Sequence, residues 1–138
     1  MKTVVIALGS NLGNRRLNLL RAIERLKRVV SIVRISSIIE TEPVDAPPPN
    51  FLNMVILGHT ALGPDALLRE MLTIERALGR RRPAMRNAPR TIDLDLILYD
   101  AVRMRTPSLT LPHPRAAQRP FVVEPLREIW SASTAALT

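Results

Sequence analysis

Asp93 and Asp95 stand one residue apart inside an otherwise apolar run, "RTIDLDLILYD", residues 90–100. A run so rich in Ile and Leu reads as a buried strand. On a strand, residues i and i+2 leave the same side, roughly 6.6 Å apart at the backbone. Both carboxylates therefore share a face with Thr91 and Ile97, while Ile92, Leu94, Leu96 and Leu98 fill the other. Carboxylates this close repel unless a cation lies between them. Hard cations such as Mg²⁺ take oxygen ligands, and paired ions in phosphoryl-transfer sites lie about 3.5–4 Å apart. The spacing thus suits one or two Mg²⁺ ions holding a polyphosphate. It equally suits a solvated sheet face whose aspartates pair with arginines.

Arginines are at hand. The segment "RRRPAMRNAPR", residues 80–90, carries Arg80, Arg81, Arg82, Arg86 and Arg90. A guanidinium fork matches phosphate oxygens, although the same loop could be a basic surface or an RNA contact. His113 lies between two prolines in "LPHP", which hold it in a fixed turn; a catalytic and a structural role are both open. Asn53, in "FLN", offers donors and acceptors together, which suits the edge of a heterocycle or an edge strand. His59, at a strand end, is read as structural. "GSNLGN", residues 9–14, lacks the Gly-Lys-Ser/Thr ending of a phosphate loop, so its likeness to one is weak.

The elements that must position these residues follow from periodicity. "KTVVIAL", residues 2–8, reads as a strand. From Asn14, a plausible N-cap, to Val30 the period becomes helical, with Leu19, Leu20, Ile23, Leu26 and Val30 on one face. Residues 32–41 read as a second strand, and "EPVDAPPPN" as a semi-rigid loop. "FLNMVILGHTAL" is a third strand. Gly63-Pro64 then starts a helix with Leu67, Met71, Ile74 and Leu78 as its stripe and Gly79 at its C-terminal cap. The carboxylate run is a fourth strand, and "SLTLPHP" a short one. "RPFVVEPLREIW" is helix-compatible, with Pro125 expected to bend or shorten it. The order β-α-β-β-α-β predicts an α+β fold: a ferredoxin-like, split βαβ antiparallel sheet with helices packed on one face, plus C-terminal additions.

Composition bounds the partners. A chain of 138 residues fits a single domain over 1–138, with residues 131–138 as a frayed tail. The net charge of +8, almost all from Arg, attracts polyanions. Phe51, Tyr99, Phe121 and Trp130 are the only aromatics, too few for a base-stacking platform. No apolar run approaches the roughly 18 residues of a membrane span. The absence of cysteine excludes thiolate chemistry. The first residues read as the opening strand of a cytoplasmic protein, without nucleic-acid or membrane partners and monomeric rather than oligomeric.

Four segments carry a family resemblance: "ALGSNLGNR" at 7–15, "FLN" at 51–53, "APRTIDLDLILYD" at 88–100 and "LPHPRAAQRPFVVEPL" at 111–126. Together the chain resembles hydroxymethyl-dihydropterin pyrophosphokinase, an enzyme family of folate biosynthesis, from about residue 2 to 130. The resemblance implies that ATP is the co-substrate. Its β,γ-pyrophosphoryl group passes to the hydroxymethyl oxygen of a reduced pterin, AMP leaves, and two Mg²⁺ ions bridge the triphosphate. By the same resemblance Asp93 and Asp95 match metal ligands. Thr41, Pro43, Val44, Phe51, Asn53 and Phe121 match pterin-site positions. Glu75, Arg90, Thr110, His113 and Arg119 match ATP-side positions. Arg80, Arg82 and Arg90 match the arginines that steady the phosphates. The chain departs from the family at Asn87-Ala88, where a Trp-Gly pair is common, in the stiffer "DAPPPN" loop, and at Pro114. Two other classes compete: a nucleic-acid-binding sheet domain, and a pterin sensor that has lost catalysis.

Overall fold

The computed structural model describes residues 1–43, 48–79, 90–131 and 136–137. Its main sheet contains β1 (Lys2–Ser10), β2 (Ser31–Ile35), β3 (Ile39–Thr41), β4 (Phe51–Thr60) and β5 (Asp93–Tyr99). The order is β2-β4-β1-β5, with β3 also paired to β4, and the pairings are antiparallel. The expected single strand over 32–41 is thus two short strands. Ser36 ends the first by a side-chain route: its N–H donates to Val55 O, and its Oγ accepts from Val55 N. Both use the β4 edge without continuing a regular ladder.

Helices α1 (Arg15–Leu26) and α2 (Pro64–Ala77) cover one face of the sheet. Asn14 caps α1, its Oδ1 accepting from Leu17 N at 3.1 Å. Gly63 and Pro64 open α2, and Gly79, at φ +101°, follows its end. Val4, Ile6 and Leu8 of β1 meet Leu19, Ile23 and Leu26 of α1 and Leu67, Met71 and Ile74 of α2 in one core. Leu20, expected in the α1 stripe, is exposed instead, and Ala22 is buried in its turn.

Helix α3 (Pro120–Ile129) packs on the opposite face, which corrects the expectation that helices occupy one face alone. Val122, Leu126 and Ile129 there meet Val5, Ala7, Val55 and Ile97. The reason is legible in β1: "VVIAL" is apolar without alternation, so both faces of that strand demand cover. Pro125 lies inside α3 without ending it. Leu137, in the tail expected to fray, is buried in this second core, whereas 132–135 and 138 lie outside the described residues.

One irregularity matters for the site. Val5 pairs with Leu98 but Ile6 pairs with Leu96, so Ile97 is an extra residue in β5. Such a bulge switches which face the following residues take. Ile97 and Leu98 both join the α3-side core, which corrects the expected place of Leu98 beside Ile92, Leu94 and Leu96. Beyond β5, a hairpin pairs β6 (Met104–Arg105) with β7 (Thr110–Leu111).

Candidate active site

Asp93 and Asp95 project from β5 into a cavity of about 410 Å³ on the α3 side of the sheet. The neighbouring strands bring the rest. Central β1 contributes Gly9, β4 contributes Phe51 and Asn53, and the start of α3 contributes Phe121. Thr41 and Pro43 close one side. Of the six residues expected at a pterin site, five therefore meet in one cavity; the sixth, Val44, lies outside the described residues.

Asn53 is buried, and its Nδ2 donates to Thr41 Oγ1 at 2.6 Å, which fixes the amide plane. A Cβ at Gly9 would come within 3.2 Å of Asn53 Oδ1 and 3.3 Å of the Phe51 ring, so the missing side chain keeps the floor of the cavity clear. Two half-buried aromatic rings and an oriented amide form a slot suited to a flat, polar-edged heterocycle.

The charged wall lies beside this slot. Arg90 Nη1 bonds Asp93 Oδ2 at 3.1 Å, and Arg90 Nε is buried with no hydrogen-bond partner among the described residues. Arg119 stands over the Phe121 ring, 5.6 Å from its centroid. That cation–π contact joins the aromatic slot to the charged wall. Among the described residues, Arg90, Arg115 and Arg119 line the cavity together with Glu42, Asp93 and Asp95. Arg80 and Arg82 lie outside the described residues.

The bulge at Ile97 positions His113. Its backbone N–H donates to Ile97 O at 2.9 Å, and its Nδ1 accepts from Arg115 N at 3.2 Å. A neutral His113 therefore carries its proton on Nε2, as a donor. Burial, then the cations of Arg119 and Arg115, hold its pKa below the ordinary histidine value, against an opposing pull from Asp93. His113 and Thr110 line a second cavity of about 570 Å³, with Arg103 and Arg105 of the hairpin segment.

Glu75 lines neither cavity. It is 3% exposed on the core side of α2, and its Oε2 accepts from Leu94 N at 2.8 Å. It thus grips the outer edge of β5 between the two aspartates. Arg115 and Gln118 in the first cavity, and Arg103 and Arg105 in the second, were not singled out from sequence. For Arg115 a signal existed, since it directly follows "LPHP".

The family model for 7,8-dihydro-6-hydroxymethylpterin-pyrophosphokinase (HPPK) matches residues 5–131. The chain belongs to this family. A Bacillus subtilis 2-amino-4-hydroxy-6-hydroxymethyldihydropteridine pyrophosphokinase is 43% identical over 127 residues, 90% of this chain and 75% of that protein. The Aquifex aeolicus protein of the same name is 39% identical over 94% of this chain and 81% of its own length. An Arabidopsis thaliana folate synthesis bifunctional protein is 42% identical over 91% of this chain, which spans only 26% of that protein. Among solved structures, a Plasmodium falciparum HPPK-DHPS with pterin and p-hydrobenzoate matches 92% of this chain and 40% of its own at a TM-score of 0.69. At 13% identity that match speaks for the HPPK fold alone.

Proposed function

We propose that this chain is a pyrophosphokinase of folate biosynthesis, transferring pyrophosphate from ATP to 6-hydroxymethyl-7,8-dihydropterin and releasing AMP. The observation that carries the reading is the shared cavity: an aromatic and amide slot, Phe51, Asn53 and Phe121, opens beside the paired carboxylates Asp93 and Asp95. A heterocycle in that slot would present its substituent to whatever the carboxylates hold. The names of the bacterial HPPK relatives support the same substrate.

In this reading Phe51 and Phe121 grip the pterin faces, and Asn53, set by Thr41, reads its edge. The hydroxymethyl oxygen forms a new bond to the β-phosphorus, the bond to the α,β-bridging oxygen breaks, AMP leaves and the hydroxyl proton passes to water. No residue need act as a dedicated base, because such transfers depend chiefly on positioning and charge. Arg90 and Arg119 steady phosphate oxygens, and Arg90 Nε, without a partner among the described residues, offers a further donor. Neutral His113 donates from Nε2 on the nucleotide side with Thr110. Arg80 and Arg82 add charge from the preceding segment, and Glu75 acts from beneath β5.

Mg²⁺ fits the chemistry of this wall. Asp93 and Asp95 would hold it, with phosphate and water completing the shell, since Mg²⁺ is commonly held by one or two carboxylates and substrate phosphates. Asp93 already draws a cation, Arg90, to 3.1 Å. Bound there, two such ions would neutralise the triphosphate beside the arginines that line the cavity.

The strand order supports a ferredoxin-like description once β2 and β3 count as one edge. One pyrophosphokinase domain over 1–138, a monomeric state and a cytoplasmic site complete the reading. Two plant relatives are named as mitochondrial, so location is a matter for fractionation. Product analysis tests the reaction. ATP, Mg²⁺ and hydroxymethyldihydropterin should give AMP and a pyrophosphorylated pterin in equal amounts; ADP with a monophosphorylated pterin would contradict it.

A further inference from the structure

Asn11 lines neither cavity, yet it bonds both Arg90, which lines the first, and Pro49, in the loop that precedes Phe51. It is 2% exposed and follows the last residue of β1. Its backbone N–H donates to Arg90 O at 3.0 Å, and its Oδ1 accepts from Arg90 N at 2.7 Å. Its Nδ2 donates to Pro49 O at 3.2 Å. The β1–β5 ladder ends in register at Gly9 and Asp93, so the Asn11 side chain continues the pairing where the strands part. Two bonds fix the Arg90 backbone, and from there the guanidinium reaches Asp93. The third holds the loop that leads through Asn50 into Phe51. Arg15 adds to this second hold, its Nη1 donating to Asn50 O at 3.0 Å.

From these contacts we infer that Asn11 is a positioning residue that braces the arginine-carboxylate wall against the loop carrying the aromatic slot. The inference rests on the proposed pyrophosphokinase reading. A primary amide is the group for this post, because it accepts and donates at once. The Arg90 arm sets the phosphate side and should act on kcat. The Pro49 arm sets the approach to Phe51 and should act on the KM for pterin.

The two arms can be separated. Asn11→Ala keeps the backbone bond to Arg90 O but removes the side-chain bond of each arm, and is expected to lower kcat about tenfold and raise the pterin KM several-fold. Asn11→Asp still accepts from Arg90 N but cannot donate to Pro49 O, so it should keep kcat within about threefold while the pterin KM rises. A residue that merely supported folding would move both parameters alike in both variants. In an Arg90→Ala background, Asn11→Ala should change kcat by less than about twofold, because contacting groups are not additive. Independent, multiplying losses, or Asn11→Ala with kcat within twofold of the unsubstituted protein, would overturn the brace. Should Asn11→Ala fail to fold, Asn11→Asp decides: a tenfold loss of kcat there would overturn it. If the unsubstituted protein forms no AMP at all, the functional reading fails and the brace falls with it.

Discussion

At Gly9 a single added carbon decides how much room the slot keeps. Its Cβ would lie 3.2 Å from Asn53 Oδ1, closer than side chains ordinarily tolerate, and the Phe51 ring lies 3.3 Å away. Gly9→Ala is therefore expected to weaken pterin binding about tenfold, measured by fluorescence or calorimetry, with the thermal midpoint little changed. His113 makes a second prediction at this scale. Its folded pKa is below the unfolded value of about 6.5, chiefly through burial and then through Arg119 and Arg115, with Asp93 opposing. Between the folded value and 6.5 the unfolded chain binds more protons, so stability rises with pH across that window. The contribution is fully present above the unfolded value and lost as pH falls through the folded one. Denaturant melts from neutral to mildly acidic pH should show that slope, and His113→Gln should flatten it.

Elements carry the site by holding β5 still. Glu75 does this from α2: its bond to Leu94 N satisfies a donor on the outer edge of the strand, between the two aspartates. Glu75→Ala leaves that buried N–H unmet, which costs about 1–3 kcal/mol; chemical denaturation should register the loss. Gly58 makes the sheet edge possible. A Cβ there would lie 2.6 Å from Val30 Cγ1 and 2.7 Å from Ser31 O, where α1 returns into β2. Gly58→Ala should destabilise by about 1–3 kcal/mol, as overpacking does, without touching the cavity. Much of this level was legible in the sequence. Asn14, Gly63-Pro64 and Gly79 marked helix ends because caps and breakers act locally. The bulge at Ile97 was not legible, because it depends on the partner strand, and with it went the place of Leu98 and the anchoring of His113. The opposite-face packing of α3 was hinted at only by the unbroken apolar run of β1.

For the whole molecule, the sequence placed Asp93, Asp95, Asn53, Phe51 and Phe121 together through motif and resemblance, and the fold brings them into one cavity. It did not reveal Asn11 or Arg103. The role of Asn11 depends on which backbone lies opposite, and a polar residue after a strand or an arginine in a basic chain is unremarkable by itself. The division into two cavities, with Thr110 and His113 in the second, is likewise a property of the folded hairpin. Ligands that bind only the folded chain stabilise it by mass action. ATP with Mg²⁺ should therefore raise the thermal midpoint, and chelation with EDTA should cancel the rise without unfolding the protein.

In the proposed reaction Asp93 and Asp95 serve pyrophosphoryl transfer to a pterin held by Phe51, Asn53 and Phe121. Its most direct test is AMP release from ATP by the purified protein with Mg²⁺, with and without hydroxymethyldihydropterin, alongside Asp93→Asn and Asp95→Asn. Pterin-dependent AMP that falls at least about a hundredfold in both folded variants is the expected result. Near-normal Mg²⁺-dependent AMP release by either variant, or no pterin dependence in the unsubstituted protein, would contradict it.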